Sequence, residues 1–228
     1  MLINEIERKN WVRMALQQVP AGSTLLDAGA GEQQYRGFCT HLNYVSQDFA
    51  AYDPDQLETG LQVNEWDYGA LDIISDITSI PRPDGSFDAI LCTEVLEHVP
   101  DPNAALMEFS RLLRPGGYLI LTAPFCSMTH FAPYHFSTGF SAFYYRHFME
   151  KLGFEIRELT SNGNYFSFIA QEVNRLPYVH ESYIGTKPGW LQKLAIRVVS
   201  SFLNKASGKG KESSQLLCFG WHLIAVKK

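Results

Sequence analysis

The stretch Leu25-Leu26-Asp27-Ala28-Gly29-Ala30-Gly31 constrains the fold more than any other in the chain. An apolar run ends in an acid, and two glycines come next, one residue apart. This pattern predicts a buried strand that feeds a tight turn. Residues without Cβ reach unusual dihedrals and let a ligand come close to the backbone. Many glycine turns only close a loop, so the neighbouring segments decide what this one holds.

Those segments alternate. Ile3 to Val19 predicts an amphipathic helix through Ile6, Trp11, Met14, Leu16 and Val19, stopped by Pro20 and Gly22. Glu32 to Leu42 predicts a helix behind the turn, with Tyr35, Phe38 and Leu42 as its apolar side. Asn43 to Gln47 predicts a second strand ending at Asp48, twenty-one positions after Asp27, near the spacing at which nucleotide-binding folds place a ribose-binding acid. Phe49 to Gly69 is polar and predicts an irregular loop, and Leu71 to Ser75 a third strand closed by Asp76. Phe87 to Cys92 is nearly all apolar, as in strands buried on both faces of a parallel sheet. A helix over Asn103 to Leu113, a strand over Tyr118 to Thr122, a helix over Ser141 to Leu152 and a strand over Phe154 to Leu159 continue the series. Leu216 to Val226 is the last strand. Strand and helix in alternation predict an α/β fold with a largely parallel sheet.

Length and composition suit this reading. The 228 residues predict one domain, 1–228, and 46% apolar residues suffice for a large core. Residues 160–215 are too long for a plain connection and predict a helical insertion between the last two strands. Its helix, Trp190 to Leu203, admits three readings: a lid over an acceptor site, a packing or dimer helix, or an interfacial helix touching a membrane. Lid or packing is preferred, since amphipathic helices usually face a core. The segment Lys205 to Lys211 after it reads as small, basic and mobile. Nineteen bases against twenty-four acids, with no long run of either, argue against a nucleic-acid partner and for a small molecule. Cys39, Cys92, Cys126 and Cys218 lack metal-ligand and secreted-domain spacing, which predicts reduced thiols and a cytoplasmic location. No apolar stretch is long enough to span a bilayer, and Met1 to Lys9 does not open a signal sequence. Nothing in the sequence sets the oligomeric state.

Four blocks together carry a family resemblance: Leu26 to Gly31, the strand-end Asp48, the pair Asp76-Ile77, and Phe87-Asp88-Ala89-Ile90-Leu91-Cys92-Thr93-Glu94-Val95-Leu96-Glu97-His98-Val99 followed by Leu112 to Gly117. They resemble the class I S-adenosylmethionine-dependent methyltransferases, in particular the small-molecule branch with the quinone-ring methyltransferases. The likeness covers about Trp11 to Leu159 and the terminal strand, and it leaves the insertion out. It implies a Rossmann-like, seven-stranded, mostly parallel sheet with an antiparallel last strand and helices on both faces. It also implies S-adenosylmethionine as cofactor. Gly29 and Gly31 would approach its methionine part, with Asp27 orienting the turn or receiving the ammonium group. Asp48 would accept the ribose hydroxyls. Asp76 and the Ile77 amide would meet adenine, and Thr93 and Glu94 would face the cofactor at the topological switch point.

The chain departs from the family where Gln33 stands in place of a third turn glycine. Gln34 likewise interrupts the dinucleotide G-x-G-x-x-G, which disfavours a nicotinamide-dependent oxidoreductase. His130 and His135 are the candidate bases in the loop Phe125 to Phe140, with Tyr134 shaping the acceptor pocket and a pocket-lining role as the alternative. His98 reads as a loop support. No metal is expected, because the spacing of His130, His135 and an acid matches no strong ligand pattern. The reading is methyl transfer to a small or lipid- or sugar-linked acceptor, at oxygen before carbon. A non-catalytic S-adenosylmethionine-binding scaffold is the rival.

Overall fold

The computed structural model describes residues 3–53, 61 and 66–228. It falls into two compact units, one running to Thr160 and completed by Gly220–Lys228, the other Ser161–Phe219. The first unit is built on β1 (Thr24–Ala28), β2 (Asn43–Asp48), β3 (Ile73–Ile74), β4 (Phe87–Thr93), β5 (Leu113–Pro124), β6 (Phe154–Asn162) and β7 (Gly220–Lys227). They form one seven-stranded sheet in the order β3-β2-β1-β4-β5-β7-β6. Strands β1 to β5 run parallel and β7 pairs with β5 antiparallel, Tyr118 opposite Val226 and Thr122 opposite His222. The chain turns back at β1, so β1 and β4 flank the switch point where ligands collect in such sheets.

Helices α1 (Ile3–Leu16), α2 (Pro102–Leu112) and α3 (Ala142–Lys151) belong to this unit. The face of α1 that packs is Trp11, Val12, Ala15 and Leu16, buried with Leu25, Leu91, Ile120 and Ile224. Ile6 and Met14, expected on that face, are exposed, because a period of 3.6 residues centred on Val12 and Leu16 turns them outward. Trp11 also stacks on His222 at 4.6 Å between ring centroids, and its indole N–H donates to Glu158 at 2.7 Å. Asp101 caps α2 by accepting from the amides of Asn103 and Ala104, with Pro102 opening the helix. The four cysteines are free thiols, only Cys126 of them exposed.

Three expectations are corrected. Glu32 to Leu42 forms turns and one short 3-10 turn, Arg36–Phe38, in place of a helix. Gln33 has a φ of 56°, outside the helical region, and Gly37 weakens the helical tendency of the residues beside it. The third strand shrinks to Ile73–Ile74, since Asp72 turns its carboxylate back to the amide and hydroxyl of Ser46 instead of extending the ladder. The last strand begins at Gly220 rather than Leu216. Of the polar loop Phe49 to Gly69, residues 54–60 and 62–65 lie outside the described residues.

The second unit is a helical hairpin of α4 (Tyr165–Ile184) and α5 (Trp190–Ser207) followed by a 3-10 turn, Lys211–Gln215. Asn164 and Ser167 form a reciprocal cap at the start of α4, and Gly185, at φ 75°, ends it. The helices run antiparallel. Asn164 Nδ2 donates to the Ser207 carbonyl at 3.0 Å, and Ser200 Oγ to Asn174 Oδ1 at 2.8 Å. Residues 205–207, expected to be mobile, continue α5 as helix. No described helix is long and apolar enough to cross a membrane.

Candidate active site

Strand register brings the acids to one edge. Asp27 lies opposite Ser46 in β2 and Leu91 in β4, and Asp48 pairs with Ile74, two residues before Asp76. The turn after β1 has both glycines at positive φ, 73° for Gly29 and 51° for Gly31. A Cβ at Gly29 would meet Val95 at 2.5 Å, and one at Gly31 would meet the Trp66 ring at 2.8 Å. Both positions therefore demand glycine twice over, by dihedral and by space.

Gln47, which no sequence motif singles out, holds this turn. Its carbonyl accepts from the amides of Gly29 and Ala30, each at 2.9 Å, and its side-chain oxygen accepts from Gly29 at 3.3 Å. Its Nε2 donates to the Ser75 carbonyl at 2.7 Å, one residue before Asp76. One buried amide thus ties the glycine turn to the end of β3. The signal for it was an amide inside an otherwise strand-like run, which a central position buries and so requires to be paired.

The acids differ in environment. Asp27 is fully buried and accepts from the Tyr44 hydroxyl at 2.6 Å. Burial pushes its carboxyl up to about 7, the Tyr44 bond opposes this, and the charge of Asp48 adds to it. Asp48 accepts the Gly31 amide at 2.9 Å and the Ala50 amide at 3.1 Å. Burial still holds it above the ordinary carboxylate range, although these amides pull it down. Asp76 is exposed and accepts the amide and hydroxyl of Thr78 on one oxygen, and Ile77 beside it is buried.

The place of a third glycine is filled by a residue that behaves like one. Gln33 adopts the left-handed conformation, and its Nε2 donates to the carbonyls of Tyr68 and Ala70, each at 2.9 Å. Thr93 is buried at the end of β4. The Glu94 side chain reaches α1 and β5, with Oε2 2.9 Å from the Arg8 guanidinium and Oε1 accepting the Thr122 hydroxyl at 2.9 Å. Burial alone would lower the Arg8 pKa, but Glu94, Tyr35 and Glu5 hold it above its ordinary value.

The loop after β5 brings three imidazoles together. His98 and His130 lie 4.7 Å apart between centroids, His130 and His135 5.0 Å, and His98 and His135 6.1 Å. His98 Nδ1 donates to the Tyr134 carbonyl at 2.5 Å, which ties this loop to the segment after β4. Burial, with His130 adding, pushes the His98 pKa down to about 4, so the ring is neutral near neutrality. His130 Nδ1 lies 2.8 Å from the Met128 carbonyl, an obligate acceptor, so the proton sits on Nδ1 and Nε2 carries the lone pair. His135 Nε2 faces Ser127 Oγ at 3.1 Å, and that hydroxyl donates to the Thr138 carbonyl. Burial and His130 hold the His135 pKa below its usual value.

Beneath the rings lies Glu97, fully buried, and neither of its oxygens reaches a hydrogen-bond partner on another described residue. Burial, with Glu94 adding, holds its carboxyl well above the usual range. Its Oε1 is 3.7 Å from His98 Nε2 and 3.9 Å from His130 Nε2. Glu97, His98 and His130 each offer a donor atom within 4.8 Å of the others, a set that could hold a divalent cation. The absence of a ligand pattern in the sequence was therefore no guide, because the donors come from two loops.

Tyr134 sits edge-on to Phe49 at 5.0 Å. Tyr52, Trp66 and Phe131 form a wall next to the imidazoles, with Tyr52 and Phe131 at 4.4 Å, Trp66 and Phe131 at 5.0 Å, and Phe131 and His98 at 5.2 Å. The described part of the polar loop thus supplies aromatic faces to the same edge of the sheet.

The chain is similar to known methyltransferases. The chain is 36% identical over 110 residues to a ubiquinone biosynthesis O-methyltransferase of Xanthomonas axonopodis pv. citri (strain 306), covering 45% of this chain and 44% of that one. It is 33% identical over 124 residues to the ubiquinone biosynthesis O-methyltransferase of Pseudomonas paraeruginosa (strain DSM 24068 / PA7), covering 50% and 49%. It spans about half the length of these curated relatives. The structure of phosphoethanolamine N-methyltransferase 2 of Haemonchus contortus in complex with S-adenosyl-L-methionine superposes with a TM-score of 0.52 over 95% of this chain and 52% of that one. At 17% identity it speaks for the fold alone. Residues 8–159 match the family model described as a methyltransferase domain, which is more than half of the chain. With this strand order and the acid-flanked glycine turn, the chain belongs to the methyltransferase-domain family of class I S-adenosylmethionine-dependent methyltransferases.

Proposed function

We propose that the chain transfers a methyl group from S-adenosylmethionine to an oxygen of a small, lipid-linked or sugar-linked acceptor in the cytoplasm. The observation that carries this reading is the meeting, on one sheet edge, of the acid-flanked glycine turn and the imidazole cluster. Gly29 and Gly31 admit the methionine part. Asp27 receives its ammonium group, Asp48 the ribose hydroxyls, and Asp76 with the Ile77 amide the adenine. Thr93 and the backbone at Glu94 close the switch-point side. Bound there, the cofactor supplies an activated methyl on a sulfonium.

The protein's task is alignment and proton removal. His130 Nε2 is the group that removes the proton of the acceptor hydroxyl, and a bound S-adenosylmethionine would supply the methyl group to that oxygen. Tyr134 and the aromatic wall orient the acceptor, and His135 lines the site or shares the proton. That the relatives are O-methyltransferases supports an oxygen acceptor, and aromatic faces suit a ring-bearing one.

Turnover measured with His130→Ala and His135→Ala tests the assignment. A base contributes about 10²–10⁴-fold to the rate, so unchanged turnover at normal cofactor affinity removes that residue from catalysis. The buried Glu97, without a hydrogen-bond partner on another described residue, favours a second reading, in which Glu97, His98 and His130 hold a divalent cation that acidifies the acceptor hydroxyl. Dialysis against a chelator separates the two: loss restored by magnesium or zinc selects the cation, and insensitivity the free base.

A further inference from the structure

The helical hairpin leaves its most apolar face uncovered. On α5, Ile196, Ser200 and Leu203 lie on the less exposed side, where Ser200 bonds Asn174 of α4. The opposite side carries Leu191, Leu194, Val198 and Phe202, spaced three or four residues apart and 60%, 51%, 62% and 65% exposed. An amphipathic helix that packed as a core element would turn this stripe inward. Around the hairpin's turn stand Tyr178, Tyr183 and Trp190, 58%, 73% and 74% exposed. Between the helices at that end runs an apolar groove of about 490 Å³, lined by Leu176, Val179, Tyr183, Ile184, Pro188 and Ile196.

Charge follows the same division. Residues 161–219 carry seven Lys and Arg against three Asp and Glu, whereas the rest of the chain carries twelve against twenty-one. From Trp190 to Lys211 there are five bases, Lys193, Arg197, Lys205, Lys209 and Lys211, and no acid. The two bases of α4 and its turn are paired, Arg175 with Glu172 and Lys187 with Glu181. Tyr and Trp at one end, an apolar stripe and a basic flank are the parts an interfacial helix needs. Rings sit at headgroup depth, aliphatic side chains reach the acyl boundary, and bases meet anionic lipid.

We propose that the α4–α5 hairpin is a docking surface for an anionic lipid bilayer, with the α5 stripe of Leu191, Leu194, Val198 and Phe202 as the inserted face. A second copy of the chain would cover the stripe as well, but it would bring together two segments that each carry five bases and no acid, which favours the lipid. The proposal is independent of the methyl-transfer reaction, and its test needs no turnover.

Flotation of the full chain with phosphatidylcholine vesicles, and with vesicles containing about a third phosphatidylglycerol, measures it. Each base near an anionic surface adds about 1 kcal/mol. The expected result is at least about tenfold stronger binding to the anionic vesicles, weakened by salt. Val198→Glu with Phe202→Glu abolishes binding, while the circular dichroism spectrum and the affinity for S-adenosylhomocysteine stay as in the wild type. Lys193→Gln with Arg197→Gln and Lys205→Gln, which leaves the stripe intact, lowers binding to anionic vesicles toward the level on neutral ones. The proposal is overturned if the wild type does not float with anionic vesicles at low salt. It is equally overturned if the two-glutamate variant floats as before, or if light scattering shows a wild-type dimer that this variant dissociates.

Discussion

Tyr44→Phe isolates one hydroxyl and tests how the site holds a cation. The ring stays under the Arg36 guanidinium, 5.5 Å from its centroid, and only the 2.6 Å bond to Asp27 is lost. That bond is what opposes burial and the Asp48 charge at a carboxyl pushed up to about 7. A hydrogen bond to a charged group contributes about 1.5–3 kcal/mol. Its loss raises the Asp27 pKa by about one to two units, to about 8 or 9. If the ionised form receives the ammonium group, apparent affinity scales with the ionised fraction. Near pH 7.5 that fraction falls from about three-quarters to between about a quarter and a few per cent, so the dissociation constant rises about three- to twenty-five-fold. Near pH 9 the variant recovers to within about twofold. Calorimetric titration with S-adenosylhomocysteine across this range, in two buffers of different ionisation enthalpy, reports both the affinity and the proton released on binding. A variant-to-wild-type ratio that stays constant with pH would refute the reasoning, since it would mean that Asp27 does not titrate against the ligand.

The same carboxyl makes the cofactor-free protein pH-sensitive. Its folded pKa is raised, so its contribution to stability is fully present below the unfolded value of about 3.8 and is lost as pH rises through about 7, a change on the order of 4 kcal/mol. Without cofactor, Asp27→Asn therefore melts above the wild type at about pH 8 and converges with it toward about pH 4 in thermal unfolding, and parallel curves would contradict this. Gln47→Leu removes the amide that links the glycine turn to Ser75, and titration should show cofactor affinity falling about tenfold. At Gln33, Ala keeps the left-handed strain and Gly relieves it, while both lose the bonds to Tyr68 and Ala70. Urea unfolding should therefore rank Gly above Ala by about 1 kcal/mol.

The strand series, its order of appearance and the three acids were legible because each rests on local rules. A buried parallel strand is a run of apolar residues, as before Asp27 and, one residue removed, before Asp76, whereas Asp48 ends a strand of mixed polarity. The Glu32–Leu42 helix was misread because Gln33 in a left-handed turn looks like any helix-forming glutamine until its side chain finds Tyr68 and Ala70. The role of Gln47 and the meeting of Glu97 with His98 and His130 depend on residues far apart in the chain. The two loops that bring them together carry no periodicity. Helix α5 was recognised as amphipathic, but which way its stripe faces is a tertiary fact: Leu191, Leu194, Val198 and Phe202 are exposed.

Electrostatics, more than the glycine turn, separates a methyl-donor site from a dinucleotide site. The turn by itself offers amides, which suit phosphate, but most of these are already committed: Gly29 and Ala30 to the Gln47 carbonyl, and Gly31 to Asp48. Facing them are two buried carboxyls, both held above their ordinary pKa by burial, with the charge of Asp48 further raising Asp27. A pyrophosphate brought to this edge would add charge of the same sign and raise them further. A ligand carrying an ammonium and a sulfonium would lower both and release the proton that Asp27 holds. The two carboxyls are strained in the direction that a cation relieves, and the cofactor of this family is the ligand whose charge has that sign.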